Sequence, residues 1–440
     1  MKIAFISYEY PPDTAFGGIA TYVRQAATML SQRGHQVEVF AGGRATDGPL
    51  TTHTTLEGGV MVHRLQGVDR HGFPERVGRV FCDRHRVLEF DVLEGPDCGA
   101  EAAVALRYVP DIPLVLKLHT PQYVLEMLGN PLQTWQAKTR MTLGALRRGQ
   151  WPKRRPPYDP AADPECRHAH EADEIAAPSQ AIGQRILTDW KLDPALVASV
   201  PYPYLPSPDL LAIPLDTDTQ VVTFLGRLEL RKGVVELGKA IPAILRRHPQ
   251  VKFRFVGPAW NSPRPGLNMQ QYLERTLPRH RQALEFTGGV PLDRIPHYLA
   301  TTDICVFPSR WESFGLVCTE AMAAGRGIVA SSAGGMAELL DQGRVGRLVP
   351  PRRPAPLAQA VIDLLDHPQQ RQELGRAARD RVLSHYSLEP IGATQEASYR
   401  RAIARRQALG ARSVSDRAIG EGGRLNAIAI PNPSPSLQGL

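Results

Sequence analysis

Short apolar runs alternate with amphipathic stretches along almost the whole chain, and this alternation restricts the fold more than any other feature. Lys2–Ser7 has the pattern of a buried strand, Gly17-Gly18 leads into an amphipathic stretch at 20–33, and residues 36–41 are the next apolar run. Strand, glycine loop, helix and strand form a βαβ unit, from which parallel sheets are built. The sequence therefore predicts an α/β protein with doubly wound parallel sheets.

The alternation continues in two series, separated by a proline-rich connector. Residues 201–219 carry five prolines, which predicts a stiff segment outside either core. Because the chain has 440 residues, 42% of them hydrophobic, it can bury two cores. The further apolar runs that predict strands are 60–65, 87–93, 114–118 and 174–177 before the connector, and 220–225, 252–256, 284–287, 304–307 and 327–330 after it.

The last part of the chain has two patterns. Residues 369–399 form a long helical pattern, and beyond residue 402 the chain becomes rich in Arg and then in Pro, Ser, Asn and Gly. Such a composition cannot bury enough apolar surface to fold, so we expect a disordered tail over 402–440.

Composition also indicates the compartment. No run approaches the ~18 apolar residues of a membrane span, and the apolar start is too short for a secretory signal because Glu9 interrupts it. An odd number of scattered cysteines without a Cys-x-x-Cys pair indicates reduced thiols. We therefore expect a cytoplasmic protein. The cysteines are Cys82, Cys98, Cys166, Cys305 and Cys318.

The segment 312–325 carries the most specific chemistry. It places Glu312 and Glu320 on either side of the Phe314-Gly315 break that opens a helix. The first backbone N–H groups of that helix are unpaired donors at a positive dipole end, where phosphate or hydroxyl oxygens dock. Two acids beside such a site suit a polyol such as ribose or hexose. On its own, however, this spacing is more often a polar residue on a solvated helix.

Two neighbouring segments make the functional interpretation stronger. Upstream, the run 224–233 is an apolar strand that enters a glycine turn with Arg227 and Lys232 placed to face an anion, and downstream lies a Gly-Gly turn that ends in Glu338. Together the three segments resemble glycosyltransferase family 4, a group of retaining GT-B enzymes with nucleotide-sugar donors. The resemblance extends from Met1 to about Tyr399.

The resemblance implies a GT-B architecture, in which two Rossmann-like domains face each other across a cleft. Residues 1–205 would form the acceptor-side domain and 206–385 the donor domain. The last helix, at 386–401, would cross back to the first domain.

The resemblance also implies roles for single residues. Arg227 and Lys232 match the pair that neutralises the leaving diphosphate, where fixed cations are commonly the largest catalytic contribution. Glu320 matches the acid that holds the ribose hydroxyls, and Glu312 matches the group that holds the transferred sugar. The other donor-binding positions beside Glu312 are Ser313, Phe314, Gly315 and Leu316.

In the first domain, the resemblance assigns Gly17, Gly18 and His119. The two glycines match the loop that lets backbone approach phosphate, and His119, at the end of a strand, matches a residue close to the reacting sugar. A lone His is more often structural, and its position at a strand end makes the two interpretations about equally favoured.

Two positions depart from the family pattern, and neither is charged. Tyr202-Pro203-Tyr204 replaces the usual Asn-Gly after the interdomain strand, and Gly327 replaces a usual proline. These differences put the linker geometry in doubt more than the chemistry.

We predict no metal. The spacing of Cys166, His168 and His170 lacks a fourth ligand, and Asp216 and Asp218 lie in the connector, where Asp is a common turn residue.

The function predicted is that of a metal-independent retaining glycosyltransferase, which moves a hexosyl unit from a nucleotide diphosphate sugar to an acceptor hydroxyl. The nucleotide sugar is a co-substrate, so we expect no cofactor, and the acceptor is a small molecule, a glycan or a lipid-linked sugar. Two alternatives stay open, a nucleotide-sugar epimerase on the same fold and a non-catalytic partner subunit that binds the donor.

A basic segment at 135–158 interleaves Lys and Arg with tryptophans and has no acidic residue. Two interpretations stay open: a solvated basic loop, or a segment that contacts an anionic membrane at its inner face or a negatively charged acceptor. No nucleic-acid-reading module accompanies it, so we expect no nucleic-acid partner.

Overall fold

Two sheets with helices between their strands form the computed structural model, which describes residues 1–14, 17–44, 50–129, 157–410 and 412. Nearly all strand pairs are parallel, and one antiparallel pair lies at the edge of the first sheet. The first sheet ends at Ser199, and the second begins at Val221. The predicted α/β class with two domains is therefore confirmed.

The first sheet contains eight strands among the described residues, in the order β3-β4-β2-β1-β5-β6-β7-β8. Its strands are β1 (Lys2–Ser7), β2 (Gln36–Gly42), β3 (Thr51–Glu57), β4 (Val60–Gln66), β5 (Val92–Pro96), β6 (Leu114–Lys117), β7 (Glu174–Ala177) and β8 (Val197–Ser199). The helices that connect them are α1 (Gly18–Gln32), α2 (Phe73–Leu88), α3 (Ala103–Tyr108), α4 (Gln122–Gly129), α5 (Pro164–Glu171) and α6 (Gln180–Trp190).

The second sheet contains six parallel strands, in the order β11-β10-β9-β12-β13-β14. Its strands are β9 (Val221–Leu225), β10 (Lys252–Val256), β11 (Leu284–Gly288), β12 (Ile304–Phe307), β13 (Gly327–Ser331) and β14 (Arg347–Val349). The remaining helices are α7 (Pro208–Leu211), α8 (Val234–Arg247), α9 (Met269–Thr276), α10 (Ile295–Ala300), α11 (Leu316–Ala323), α12 (Met336–Leu339), α13 (Pro354–Asp366), α14 (Pro368–His385) and α15 (Leu388–Leu409).

The apolar runs become strands because both faces of each sheet are buried. In β1, Ile3 and Phe5 belong to one apolar cluster, and Ala4 and Ile6 belong to another on the opposite face. A strand covered by helices on both sides has no polar face, so its sequence reads as a continuous apolar run. This is the pattern by which most of the strands could be predicted.

The C-terminal region differs from the prediction in two ways. The stretch predicted as one helix at 369–399 is two helices, α14 and α15, which are separated at Tyr386 and Ser387. The returning helix also ends at Leu409 rather than at 401, so the prediction of disorder from 402 onward is wrong for its first residues.

The extra helical turns are stabilised by contacts that the composition does not reveal. Ala402 is fully buried, and Arg406 forms a salt bridge of 2.5 Å with Asp173 of the first domain. A buried ion pair of this kind orders a segment that would otherwise be read as a basic tail. Residues 411 and 413–440 of the predicted tail lie outside the described residues.

Several other predictions need correction. The strand predicted at 87–93 is shifted, because α2 continues to Leu88 and β5 begins at Val92. The strands β3, β8 and β14 were not predicted, since β3 is largely exposed and the other two have three residues each. The connector at 201–219 contains the short helix α7. The basic segment falls outside the described residues over 135–156.

Among the described residues, no helix combines the length and the apolar character that crossing a membrane requires.

Candidate functional site

The segments predicted to form the site follow the carboxyl ends of strands in both domains, where ligands of open α/β sheets bind. These ends face each other and touch. The hydroxyl of Thr120, which follows β6, lies 2.5 Å from the hydroxyl of Ser313, which follows β12. A Cβ built at Gly18 would lie 3.5 Å from the side chain of Leu316. The predicted cleft therefore lies between these segments.

A tight turn after β9 sets the position of Lys232. The turn Leu230–Lys232 ends at Gly233, which has a φ of 71°, and a Cβ there would lie 1.9 Å from the carbonyl oxygen of Pro308. Only glycine fits such a conformation and such a close approach. The consequence is that Lys232 is held against the segment that follows β12.

Glu312 is the centre of a buried ion cluster. Its Oε1 atom lies 2.5 Å from Nζ of Lys232, 2.8 Å from the hydroxyl of Ser309 and 3.7 Å from Arg231. Burial alone would raise the pKa of this carboxyl, but Lys232 and Arg231 outweigh it and lower the pKa to about 2. Glu312 is thus a carboxylate at neutral pH, and Oε2 makes no hydrogen bond with any described residue.

The pKa of Lys232 is also lowered, but here burial is the larger cause. Burial lowers its pKa, and the attraction of Glu312 opposes this effect. The ammonium group is therefore stabilised chiefly by one carboxylate.

Arg227 occupies the more open end of this cluster. Its guanidinium lies 4.7 Å from the ring centre of Trp260 and 3.5 Å from Glu229, which in turn binds Arg231 at 2.8 Å. Stacking on an indole holds a guanidinium flat while leaving its N–H edge available. Arg227 is linked to Glu312 only through the chain of charges formed by Glu229 and Arg231.

Helix α11 places the second predicted acid. Gly315 precedes it with a φ of 110°, and a Cβ there would lie 2.5 Å from the sulfur of Met336, so this turn requires glycine. The carboxylate of Glu320 forms no hydrogen bond or ion pair with the described residues, and burial raises its pKa to about 8. A partly buried acid without a partner among these residues costs free energy that a ligand hydroxyl could recover.

In the first domain, the two predicted glycines lie on the cleft side of β1. Gly18 begins α1 and faces Leu316, as described above, and Gly17 has an extended backbone conformation. A Cβ built at Gly17 would lie 3.8 Å from Oε2 of Glu9. A glycine here keeps open the space between the backbone and this carboxylate.

His119 is held in one tautomer by its neighbours. The hydroxyl of Tyr202 donates to the carbonyl of Leu118 at 2.7 Å and lies 2.7 Å from Nδ1 of His119. Because the tyrosine has a single proton, Nδ1–H must donate to it, which leaves Nε2 as an acceptor. Nε2 is buried, and it has no hydrogen-bond partner in the described part of the chain.

The charge state of His119 agrees with this tautomer. Burial, together with the positive charges of Lys117 and Arg70, lowers its pKa to about 3. The imidazole is therefore neutral, and it can accept a hydroxyl proton in a hydrogen bond but carries no positive charge to offer a phosphate.

Ser313 is bound to the first domain on both sides. Its hydroxyl contacts Thr120, and its carbonyl accepts a hydrogen bond of 2.6 Å from the hydroxyl of Ser179, at the start of α6. The next residue, Phe314, packs on Tyr202 with ring centres 5.0 Å apart. Tyr202, in the segment that departs from the family pattern, thus contacts both His119 and Phe314.

Glu338 has a structural role across the cleft. Its two carboxylate oxygens accept hydrogen bonds from the backbone N–H groups of Gln180 and Ala181, at 2.8 and 2.9 Å. These are unpaired donors at the N-terminus of α6, where a carboxylate is stabilised by the helix dipole. Glu338, which ends the Gly-Gly turn segment of the sequence, therefore joins the second domain to the first.

The structure thus brings together most of the residues predicted for the site. Lys232 directly contacts Glu312, whereas Arg227 lies farther out, beyond Glu229 and Arg231. Sequence reasoning missed several polar residues, although all of them follow strand ends, which was the available signal. These are Arg231, Ser309, Thr120 and Ser179 beside the donor segment, and Glu9, Arg70 and Asp97 in the first domain.

The three residues weighed as metal ligands lie on or beside α5, with other partners. His168 contacts Glu171 at 3.2 Å, and His170 contacts the carbonyl of Trp190 at 3.1 Å. Within the described ranges, no three His, Cys, Asp or Glu side chains are arranged to hold a metal ion.

Comparisons with known proteins agree with this architecture. The family model Glycosyltransferase Family 4 matches residues 16–203, and the model Glycosyl transferases group 1 matches residues 212–381. Glycogen synthase of Mycobacterium tuberculosis is 26% identical over 420 residues, which cover 89% of this chain and 92% of that protein.

Solved structures share the fold over nearly their full length. Sucrose-phosphate synthase from Thermosynechococcus elongatus superposes with a TM-score of 0.66 at 22% identity, over 92% of this chain and 99% of that one. Anabaena HepE in complex with UDP and glucose superposes with a TM-score of 0.63 at 21% identity, over 90% and 99%. The two family models cover one domain each, and the chain is a glycosyltransferase with the GT-B fold, of the family 4 type.

Proposed function

We propose that the protein is a retaining, metal-independent glycosyltransferase that moves a hexosyl unit from a nucleotide diphosphate sugar to an acceptor hydroxyl. The observation that carries this proposal is Glu320, a partly buried carboxyl group without a partner among the described residues, on the helix that begins beside Gly18. The two adjacent hydroxyls of a ribose could donate hydrogen bonds to this carboxyl group, which accepts none from the described residues. The likeness to HepE, solved in complex with UDP and glucose, supports a nucleotide-sugar donor.

The neighbouring cations suit the leaving diphosphate. Arg227 presents its N–H edge at the open end of the cluster, and Lys232 is buried beside the start of α11. As the bond between the sugar C1 and the diphosphate oxygen breaks, negative charge grows on that oxygen. Fixed cations and helix N–H groups stabilise this charge more than they stabilise the bound substrate.

A front-face displacement suits the groups around the reacting sugar. The ion pair with Lys232 and the hydrogen bond from Ser309 lower the nucleophilicity of the Glu312 carboxylate. Nε2 of the neutral His119 suits a hydrogen bond from a sugar hydroxyl. In this step the acceptor oxygen bonds to C1 from the side that the diphosphate leaves, and the acceptor proton passes to the departing oxygen. The anomeric configuration is retained.

Cations supplied by the protein also explain why no metal is required. Two basic side chains and a helix N-terminus neutralise the charge that Mg²⁺ or Mn²⁺ would neutralise in a metal-dependent enzyme. We expect the transfer rate to be unchanged in EDTA. Complete loss of rate that Mg²⁺ or Mn²⁺ restores would contradict metal independence.

The experiment that tests the proposal is a thermal-shift screen with nucleotide sugars, followed by product analysis. A donor present at 100 times its dissociation constant stabilises the folded state by ~2.7 kcal/mol, which is visible as a raised melting temperature. NMR of the product then reports the anomeric configuration. Turnover of donor without acceptor to an isomeric sugar would favour the epimerase, and binding without any turnover would favour a non-catalytic subunit.

A further inference from the structure

A group of buried acids surrounds one arginine on the first-domain side of the cleft. Glu9 follows β1, Asp97 and Glu101 follow the neighbouring strand β5, and Arg70 lies in the loop after β4. Carboxyl ends of adjacent parallel strands meet at one edge of the sheet, so these side chains converge beside Gly17. The mechanism above uses none of them.

Arg70 is fully engaged within this group. It donates to Oε1 of Glu9 at 2.8 Å and to Oε1 of Glu101 at 3.0 Å. The other oxygen of Glu101 accepts from the backbone N–H of Tyr8 at 2.7 Å. One guanidinium is thus shared by two carboxylates, so it offers no free positive charge to a further anion.

Three acceptor atoms in the same region lack partners. Oε2 of Glu9 forms no hydrogen bond with any described residue, although the residue is only 7% exposed, and this atom is the one that faces Gly17. Oδ2 of Asp97 and Nε2 of His119 are buried and have no hydrogen-bond partner among the described residues. Burial raises the pKa of Asp97, which shows how poorly its charge is solvated.

Unpartnered acceptors require donors, and the chemistry of the ligand follows from this requirement. Sugar and polyol hydroxyls are donors that a carboxylate and a neutral imidazole both accept. A phosphate at the same place would bring only acceptors and negative charge against Glu9 and Asp97, with Arg70 already paired.

We propose, on the basis of the transfer reaction proposed above, that Glu9 binds a hydroxyl of the acceptor beside Gly17, and that the acceptor group seated there is an uncharged sugar or polyol rather than a phosphorylated one. Arg70 is a positioning residue in this arrangement, because it fixes one oxygen of Glu9 and thereby directs the other toward the cleft. Glu9 sets acceptor specificity at Gly17, and the approach of the donor phosphate that the resemblance implies for this loop is left to Gly18, which faces Leu316.

The test uses the full chain, the donor found in the thermal-shift screen and matched acceptor pairs. Glucose is compared with glucose 1-phosphate, and inositol with inositol 3-phosphate, by kcat/KM of transfer. We expect the uncharged member of each accepted pair to be preferred by tenfold or more. Preference for the phosphorylated member would overturn the inference but leave the proposed function intact, whereas a chain that binds no nucleotide sugar would overturn the function itself.

Two variants of Glu9 test the residue. In Glu9→Gln we expect kcat/KM for the uncharged acceptor to fall about 10- to 100-fold through KM, because a charged hydrogen-bond acceptor is lost. Discrimination against the phosphorylated partner should shrink, since Arg70 then has one carboxylate instead of two. Donor affinity measured by calorimetry should stay unchanged.

The matched control is Glu389→Gln, which removes an exposed carboxylate on α15. It should leave kcat/KM unchanged for both the uncharged and the phosphorylated acceptor. Equal kcat/KM values for wild type and Glu9→Gln would refute the role of Glu9. If Glu9→Gln does not fold, Glu9→Asp keeps the charge but withdraws it from Gly17, and it should raise the acceptor KM in the same way, whereas an unchanged KM would refute the inference.

Discussion

Nζ of Lys232 lies 2.5 Å from Oε1 of Glu312, although the two residues are 80 positions apart and come from turns that follow different strands. The contact depends on Gly233, where any side chain would collide with the carbonyl of Pro308. Lys232, which we propose faces the diphosphate, is thus positioned by Glu312, which we propose holds the sugar. Substitution of either residue should therefore displace the other, and the effects of the two substitutions on the activation free energy should not be additive.

Removal of either predicted cation should slow turnover more than it weakens donor binding. We expect Lys232→Ala and Arg227→Ala each to lower kcat on the order of 10²-fold, because the charge on the leaving diphosphate is larger in the transition state than in the bound substrate. Steady-state kinetics with purified donor and acceptor measure the effect. Lys239→Ala, on the exposed side of α8, is the control. Full activity in both site variants would remove them from the catalytic machinery.

Loss of the unpartnered acid should weaken nucleotide binding. In Glu320→Ala the ribose hydroxyls lose their acceptor while the reacting centre is unaltered, so we expect the dissociation constant for free nucleoside diphosphate to rise about 10-fold or more. Isothermal titration calorimetry gives this constant directly. An unchanged affinity would show that Glu320 does not contact the nucleotide.

The same carboxyl should make stability depend on pH. Burial raises the pKa of Glu320 from 4.5 to about 8, so the folded state holds a proton that the unfolded state has released between these values. The free energy of unfolding should therefore fall as the pH rises from about 4.5 to about 8. Glu320→Gln carries no titrating group and should show a flatter dependence over this window. Parallel pH profiles from urea denaturation of the two proteins would contradict the assignment.

Glu338 should stabilise the contact between the domains. Its replacement by alanine leaves the N–H groups of Gln180 and Ala181 without their acceptor, and loss of an N-terminal cap costs about 1 kcal/mol. We expect Glu338→Ala to lower the unfolding free energy by about this amount and to increase proteolysis at the start of α6. Glu373→Ala, which removes an exposed acid from α14, should have neither effect. A Glu338→Ala protein as stable as wild type would show that the cap contributes nothing.

Much of the fold could be predicted because burial leaves a direct trace in the sequence. Strands such as β1 and β12 lie between two helical layers, so their apolar runs identify them. The edge strand β3 could not be found in this way, since it is exposed and rich in threonine. The end of α15 was missed for the opposite reason, because its arginines resemble a tail until Asp173 and Glu174 are seen opposite them.

The candidate site could be predicted as far as residue identity and strand position determine it. Glu312, Glu320 and Lys232 stand in a recognisable pattern, and the structure brings Lys232 and Glu312 into contact. Pairing between distant segments leaves no such trace. The bond between Thr120 and Ser313, for example, depends on how two separately folded sheets meet, which neither local sequence contains.

The return of α15 to the first sheet means that the second domain is, in the topology of the chain, an insertion within the first. Glu94, at the centre of the first sheet, accepts hydrogen bonds from Tyr22 and, at 2.7 Å, from Tyr399 near the end of the chain. A truncation after α14 would strip that partner from a buried carboxylate. A chimera that exchanges donor specificity with a relative therefore needs two crossovers, one near residue 205 and one near Ser387, so that each acceptor domain keeps its own last helix.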